Sequence, residues 1–381
     1  MFINRVLLVT ETPPGTPNGF GVTLKCMFRE IDHRVIFTDA DFKQFGDKLG
    51  YSLAQVPYHP SGRFLITFLT GKIPEWRGRY SLAWFKNNLS EQFSSVYAFV
   101  YSTECMKYAH WVAKKSKVPL VVHLADHSPE FEQTASANIL RRASKLVCIT
   151  EEMKLKYEQT LGRQDIEVLH NGAEKSCYEV APPCTKPFSE QNPFILCFIG
   201  GLFSHLHGDC IEDLFYAVSQ IRHKFPWVKF HLYGQRQPAH FLEDLIRGDG
   251  FTHHGIVMPL EKKFEIMKKA HCFVIPSSFN KQKHCHYRYS FPTKLPELIA
   301  SRRPILSYGP KETSTNSILE TNNLGIRIHD RSVPKLVKSL ETLVGQYQES
   351  IDQFASASPL LMDKFSAGSV RKKLSKILSF N

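Results

Sequence analysis

The sequence has no long hydrophobic run. No apolar stretch approaches the roughly 20 residues that a helix needs to cross a bilayer. The opening segment MFINRVLLVTETPPG turns polar and proline-rich after one short apolar run. That pattern is typical of a first β-strand and not of a secretory signal. We therefore expect a cytoplasmic protein without a membrane-spanning segment.

The sequence also lacks the paired cysteines of metal and disulfide sites. Its nine cysteines are scattered and form no C-x-x-C motif, so we interpret them as reduced thiols. A His-Cys-His run at residues 284–286 could suggest metal ligands, but adjacent residues of an extended loop point apart and no second ligand cluster stands nearby. The sequence therefore predicts no metal and no bound cofactor.

Acidic residues are too few to balance the basic ones. The net charge is +12, and residues 191–381 hold most of the excess, with 25 Lys and Arg against 16 Asp and Glu. A basic half suggests an anionic partner such as a nucleotide or an anionic membrane surface, although a solvated basic surface would give the same count. No basic-aromatic motif of nucleic-acid binding is present, so we expect no nucleic-acid partner.

Short β-branched runs alternate with helical patterns along all 381 residues, a length that favours two domains. This alternation is typical of βαβ units and parallel sheets. The series starts again after a proline-rich polar segment, residues 175–193, which we interpret as a linker. The sequence predicts an α/β fold of two doubly wound parallel sheets that face a cleft.

The stretch SFPTKLPELIASRRPILSYGP contains the main candidate site. Proline is tolerated in the first turn of a helix, so a helix that starts at Pro292 and Thr293 can contain Pro296. The N–H groups of a helix start attract anions, and Ser290 and Thr293 add hydroxyl groups. Serine and threonine also begin ordinary helices, which leaves a purely structural interpretation open.

Two charged residues in this stretch suggest a ligand with both phosphates and a ribose. Lys294 supplies a positive charge at the predicted helix start. Glu297 lies one turn further in, where a carboxylate would repel a phosphate in direct contact. We therefore expect Glu297 to accept hydrogen bonds from sugar hydroxyls.

Two segments that follow predicted strands provide further candidates. The turn PPGTPNGFG brings Gly15, Gly19 and Gly21 close after the first strand, but its spacing does not match G-x-G-x-x-G, which argues against a dinucleotide cofactor. In VVHLADHSPE, His123 and Asp126 could hydrogen-bond a sugar or titrate. His123 could equally be a histidine satisfied within the sheet, and we expect Asp126 to be the more exposed of the two.

The segment NKQKHCHYRYS is rich in basic residues. We interpret it as a flexible basic loop over a phosphate site, with a solvated loop as the alternative. Its candidate phosphate ligands are Lys281, Lys283 and Arg288.

Together these residues resemble a known family. The chain is similar to the GT-B-fold nucleotide-sugar glycosyltransferases, most of all to the retaining enzymes of glycosyltransferase family 4. The stretches that carry the resemblance are LLVTETPPGTPNGFG, VVHLADHSPE, LVCITEEM, EVLHNGAE, CFIGGL, FHLYGQ, AHCFVIPSSF and FPTKLPELIASRRPILSYG. They cover nearly the full length in the right order.

The resemblance implies a Rossmann-like acceptor-side domain over residues 1–175 and a Rossmann-like donor domain over residues 191–360. It also implies that residues 361–381 form a helix that crosses back to the first domain. The implied catalytic residues are His123, Asp126 and Lys294. The implied substrate-binding residues are Gly19, Phe20, Gly21, Gly200, Gly201, Tyr233, Val257, Arg288, Ser290, Pro292, Thr293 and Glu297.

The chain departs from this family at two places. Many relatives have a glutamate eight residues before the ribose-binding one, where this chain has Tyr289. Many also have an arginine and a lysine where this chain has Gly201 and Leu206, with His205 and His207 beside them. The leaving diphosphate would then depend on other cations.

The resemblance implies transfer of a sugar from a nucleotide donor to a carbohydrate or lipid-linked acceptor, with retention and without a metal. An inactive relative that binds a nucleotide sugar or a partner enzyme, and a nucleotide-sugar epimerase, are the alternatives. The basic segment SVRKKLSKILSF could place the protein at the inner face of an anionic membrane, although packing across the domains explains it as well.

Overall fold

The structure, a computed structural model, describes residues 5–53, 92–179, 187–257 and 261–379. They form two compact units. Unit 1 consists of Met1–Leu169 and Lys373–Asn381, and unit 2 of His170–Lys372.

Unit 1 contains a seven-stranded parallel sheet with the order β3-β2-β1-β4-β5-β6-β7. The central strands are buried along their whole length because helices cover both faces of such a sheet. Strand order reverses between β1 and β4, and ligands bind at such a reversal, beyond the carboxyl ends of the strands. The strands are β1 Val6–Thr10, β2 His33–Phe37, β3 Ser52–Leu53, β4 Ser95–Val100, β5 Leu120–Leu124, β6 Lys145–Cys148 and β7 Ile166–Val168.

Side-chain caps start several helices of unit 1. Asn18 accepts a hydrogen bond from the N–H of Gly21, Ser102 from that of Cys105, and Thr150 from that of Met153. The α-helices described within residues 5–53 and 92–169 are α1 Gly19–Phe28, α2 Lys43–Lys48, α3 Thr103–Ser116, α4 Thr134–Arg142 and α5 Glu151–Leu161, with 3₁₀ turns at Ala40–Phe42 and Pro129–Glu132.

Unit 2 contains a six-stranded parallel sheet with the order β12-β10-β8-β13-β14-β15, and a short parallel pair, β9 and β11. Its order reverses between β8 and β13. The predicted α/β class with two doubly wound parallel sheets is thus confirmed. The strands are β8 Phe194–Ile199, β9 Leu202–Phe203, β10 Val228–Tyr233, β11 Arg236–Gln237, β12 Phe251–His253, β13 Cys272–Pro276, β14 Ile305–Tyr308 and β15 Ile326–Ile328.

The helices of unit 2 pack against this sheet around a core of apolar side chains from β8, β10 and the first long helix. No described helix is both long and apolar enough to cross a membrane. The helices are α6 Lys175–Tyr178, α7 Ser204–Arg222, α8 Glu243–Ile246, α9 Glu261–Lys269, α10 His284–Tyr289, α11 Leu295–Ala300, α12 Ser314–Thr321, α13 Val333–Gly345, α14 Tyr347–Lys364 and α15 Ala367–Leu378, with a 3₁₀ turn at Lys281–Lys283. Helix α15 passes from unit 2 into unit 1 at residue 373.

Two glycines allow the turns after β8 and β10 to touch. Gly234 has a φ of +143°, and a Cβ built there would collide with the carbonyl oxygen of Gly200. The N–H of Gly200 donates to the carbonyl of Tyr233 over 2.8 Å. The two strand ends therefore meet backbone to backbone, which only a residue without a side chain permits.

We expect Gly234→Ala to lower the free energy of unfolding by about 2–4 kcal/mol, since it adds a backbone clash to an unfavourable φ. The matched control is Gly255→Ala, because Gly255 has a φ of +72° but open space around it. The free energy of unfolding of Gly255→Ala should fall by only the roughly 1 kcal/mol that a positive φ costs an alanine. Urea unfolding measures both, and equal losses would contradict the proposed clash.

Candidate functional site

Lys294 lies at the end of β8, where the strand order of unit 2 reverses. Its Nζ donates to the carbonyl of Ile199 over 2.5 Å and stands 4.1 Å from the centroid of the Phe198 ring. A Cβ at Gly200 would collide with this nitrogen. Two residues predicted from distant parts of the sequence, Gly200 and Lys294, are therefore in direct contact.

The environment of Lys294 weakens its hold on a proton. Burial, and secondly the nearby charge of Lys263, lower the pKa of Lys294 to about 7. Its hydrogen-bond acceptor is a neutral carbonyl, which does not offset the cost of a buried charge. An anion beside Nζ would restore the charged form.

Glu297 forms an ion pair with Lys263 of α9, and both side chains are only 13% exposed. The carboxylate lies in the first turn of α11. Sequence reasoning missed Lys263 because a pair between two helices leaves no spacing signal. It could have been noticed only as one of several lysines on an amphipathic helix.

The helix that was predicted to start at Pro292 and Thr293 begins two to three residues later. Helix α11 begins at Leu295, and Lys294 precedes it without a side-chain cap. The N–H of Leu295 already donates to the carbonyl of Pro292 over 2.8 Å, so Pro292 to Lys294 form a turn. Pro296 does lie in the first helical turn, as predicted.

The backbone around this turn is held by neighbouring side chains. The Thr293 carbonyl accepts a hydrogen bond from Asn171 Nδ2, and the Ser290 carbonyl accepts one from Ser314 Oγ. Ser290 Oγ itself lies 3.4 Å from His286 Nδ1. These bonds fix the segment that precedes Lys294.

The interpretation of residues 280–290 as a flexible loop was wrong. They form a 3₁₀ turn followed by α10, and Tyr287 anchors the helix through a hydrogen bond from its hydroxyl to the carbonyl of Leu206. Arg288 is exposed, with its guanidinium carbon 5.7 Å from the centroid of the Tyr289 ring. The helix rather than a loop therefore presents Arg288 to solvent.

A histidine on α7 stands close to Lys294. The Nδ1 of His207 is enclosed and has no hydrogen-bond partner among the described residues. Burial, followed by the charges of Lys294, His286 and His205, lowers the pKa of His207 to about 3. In the described part of the chain, no three His, Cys, Asp or Glu side chains are grouped to hold a metal ion.

Tyr233 ends β10 beside this site. Its ring stacks on His254 with 4.4 Å between centroids and 8° between planes, and burial raises the pKa of Tyr233 to about 12. His253 lies with Nε2 2.8 Å from the carbonyl of Gly234. Val257, another predicted contact, is half-buried a few residues further on, and Gly201 directly follows Gly200.

In unit 1, two of the glycines that were predicted in a turn lie in a helix. Gly19, Phe20 and Gly21 form the first turn of α1. A Cβ at Gly21 would collide with the backbone of Thr16, so packing alone explains this glycine. Phe20 stacks on Tyr101 with 4.7 Å between ring centroids.

His123 is 0% exposed in the middle of unit 1. Its Nδ1 lies 2.7 Å from the hydroxyl of Tyr97, and the Phe99 ring packs against it edge to face. Asp126 is half-buried just beyond β5, and its Oδ1 accepts a hydrogen bond from the N–H of His127. Of the two, Asp126 is the more accessible, as predicted.

Sequence reasoning missed Glu11, which directly follows β1. Its side chain is 4% exposed. One oxygen accepts hydrogen bonds from the N–H groups of Tyr101 and Ser102 and from the Ser102 hydroxyl, at 3.1, 2.7 and 2.7 Å. The other oxygen has no hydrogen-bond partner among the described residues. An acid directly after a strand at the order reversal was the available signal.

Comparison with known proteins gives a family match within unit 2. Residues 193–346 match the family model described as Glycosyl transferases group 1, and this range contains Gly200, Lys294 and Glu297. No curated protein matches the sequence. The predicted enzyme class, a glycosyltransferase, is confirmed.

Solved structures share the fold over nearly the whole chain. HepE of Anabaena, solved with UDP-glucose, is 15% identical with a TM-score of 0.67 and covers 98% of this chain and 99% of its own. The lipopolysaccharide outer core galactosyltransferase WaaB is 15% identical with a TM-score of 0.64, and the match covers 98% of this chain and 98% of WaaB. WaaG, a glycosyltransferase involved in lipopolysaccharide biosynthesis, is 16% identical with a TM-score of 0.61, and the match covers 99% of this chain and 100% of WaaG. These likenesses confirm the predicted GT-B fold.

The environment of Glu11 predicts a pH dependence of stability. Burial raises the pKa of Glu11 from 4.5 to about 7. The folded state therefore holds this proton more tightly than the unfolded chain. The extra stability that protonated Glu11 gives the folded state is complete below about pH 4.5 and is lost as the pH rises to about 7. The free energy of unfolding falls by about 3 kcal/mol over this range.

Glu11→Gln removes this titration while keeping the shape of the side chain. We expect the free energy of unfolding of the wild type, relative to this variant, to fall by about 3 kcal/mol between pH 4.5 and pH 8. Urea unfolding at several pH values measures the difference. Parallel pH profiles for the two proteins would show that Glu11 does not titrate in this range.

Proposed function

We propose that this chain, whose residues 193–346 form a group 1 glycosyltransferase domain, transfers a sugar from a nucleotide-sugar donor to a carbohydrate or lipid-linked acceptor. We further propose that it retains the anomeric configuration, needs no metal and acts in the cytoplasm. The supporting observation is that Gly200, Lys294 and Glu297 lie within the matched residues. Lys294 contacts Gly200 at the end of β8, and Glu297 pairs with Lys263 of α9.

The proposed role of Lys294 is to stabilise the leaving diphosphate. Negative charge grows on the diphosphate as the bond to the anomeric carbon breaks, and a cation fixed beforehand lowers the barrier more than one that must move into place. The hydrogen bond to Ile199 and the Phe198 ring hold Nζ in position. Arg288, Ser290, Pro292, Thr293 and Gly201 are proposed to border the same phosphates.

The proposed role of Glu297 is to bind the ribose. A carboxylate is a strong acceptor for sugar hydroxyls, and the ion pair with Lys263 holds it in position. Tyr233, stacked on His254, and the backbone at Val257 are proposed to border the base. HepE was solved with UDP-glucose, which supports a uridine nucleotide as the first donor to test.

In unit 1, Asp126 is the better candidate for contact with the reacting sugars. His123 is fully buried and hydrogen-bonded to Tyr97, so we propose that it positions the strand end from which Asp126 projects. Gly19, Phe20 and Gly21 are proposed to contact substrate at the start of α1.

The reaction can be tested with a panel of nucleotide sugars. We expect one of them to raise the melting temperature and to release its nucleoside diphosphate slowly, and proton NMR of the product then reports the anomeric configuration. Conversion of the sugar without diphosphate release would indicate an epimerase. Stabilisation without any conversion would indicate a protein that only binds the donor.

We expect Glu297→Ala to weaken donor binding about 10- to 100-fold, the loss of one or two hydrogen bonds to a charged acceptor. The fold should be retained, since the side chain lies at the start of a short helix. Calorimetric titration measures the affinity. Unchanged affinity would rule out the ribose role.

Two matched variants control this experiment. Glu265→Ala removes an exposed carboxylate of α9 that pairs with Lys268, and should leave donor affinity unchanged. Lys263→Gln breaks the same ion pair but keeps the carboxylate of Glu297. It should weaken binding less than Glu297→Ala if the carboxylate itself contacts the ribose.

A further inference from the structure

Two nitrogen bases at the end of β8 are enclosed without a counter-ion. Lys294 Nζ hydrogen-bonds a neutral carbonyl, and His207 Nδ1 has no partner among the described residues. Both approach the ring of Phe198, whose centroid is 4.1 Å from Nζ and 5.7 Å from the centroid of the His207 ring. The two bases therefore share one aromatic neighbour, and the charge of Lys294 acts on His207.

The charged groups around this pair are mostly basic. Lys263 of α9 lowers the pKa of Lys294, and the thiol of Cys197 on β8 acts in the opposite direction. His286 of α10 and His205 of α7, like Lys294, lower the pKa of His207. The nearby acid, Glu297, is already paired with Lys263.

We propose that Lys294 and His207 jointly hold the donor diphosphate, and that the site takes up protons from solvent when the diphosphate binds. This inference rests on the proposed function and names the residues that serve its leaving group. The only covalent change in this step is a proton transfer, in which the proton donor's bond to hydrogen breaks and an N–H bond forms. A proton from water or buffer adds to the lone pair of Nζ or Nδ1 as the anion arrives.

The physical reason is electrostatic. Two enclosed bases beside each other cannot both carry a charge cheaply, because desolvation and mutual repulsion both favour the neutral forms. A doubly charged diphosphate reverses both effects and makes the cationic forms the stable ones. An exposed arginine or lysine would be charged before and after binding and would take up nothing.

Calorimetric titration measures the uptake directly. UDP-glucose, or the nucleotide sugar of the panel that binds most tightly, is titrated at one pH in two buffers of different ionisation enthalpy. The diphosphate of a nucleotide sugar carries two negative charges throughout pH 5.5–8.5, so any proton taken up goes to the protein. The difference in heat gives the number of protons per ligand bound.

The two bases should respond in different pH ranges. A group with a pKa of about 7 is about nine-tenths deprotonated at pH 8, so Lys294 should take up about 0.9 proton there and only about 0.1 at pH 6. His207 is neutral in the empty site at both pH values. If its pKa returns to the ordinary value near 6.5, it should take up more than half a proton at pH 6.

Single substitutions separate the two contributions. His207→Gln should reduce the uptake at pH 6 to the roughly 0.1 proton of Lys294 and keep the uptake at pH 8. Lys294→Gln should abolish the uptake at pH 8 and weaken binding at least tenfold. The matched control is His110→Gln, because His110 of α3 is also a half-buried histidine with a lowered pKa but lies in unit 1. It should change neither value.

The outcomes are distinct. Tight donor binding without uptake at either pH would overturn this inference and leave the proposed function standing. If the His207→Gln variant still takes up more than half a proton at pH 6, the assignment of His207 is overturned. Failure of every nucleotide sugar in the panel to bind would contradict the proposed function and this inference together.

Discussion

The contact between Lys294 and the end of β8 is the interaction on which the candidate site depends. It joins a turn late in the sequence to the first strand of the unit 2 sheet through one hydrogen bond to Ile199 and one aromatic contact with Phe198. The approach is possible because Gly200 has no side chain. The same enclosure that positions the amine also removes its solvation, so position and weakened basicity have one cause.

The architecture could be predicted because its signals are local. The run FILCFI is short and apolar, VKFHLY alternates apolar with other residues, and in the structure they form β8 and β10. The alternation of such runs with helical patterns predicted two parallel sheets, and the resemblance to a family implied the GT-B fold. The boundaries were less predictable, as α11 shows: the turn from Pro292 to Lys294 uses the same residues that would otherwise begin a helix.

The site was predicted in part, and the missing parts are pairings. Glu297 and Lys294 were proposed from residue type and position, whereas Lys263 and His207 lie on helices distant in sequence and left no such signal. Residue type alone could not predict that the side chain of His123 is buried and hydrogen-bonded to Tyr97, the alternative that the sequence left open. Glu11 and Lys294 show that both units place an enclosed ionisable group at the reversal of strand order.

The meeting of Gly200 and Gly234 restricts where this sequence can vary. Side chains do not fit at the point where the two turns touch. Substitutions are therefore tolerated better at the flanking Tyr233 and at the exposed His254 that stacks on it. A library intended to change the preferred nucleotide would therefore vary this aromatic pair and keep both glycines constant. Diversity placed at the glycines themselves would mostly yield destabilised proteins.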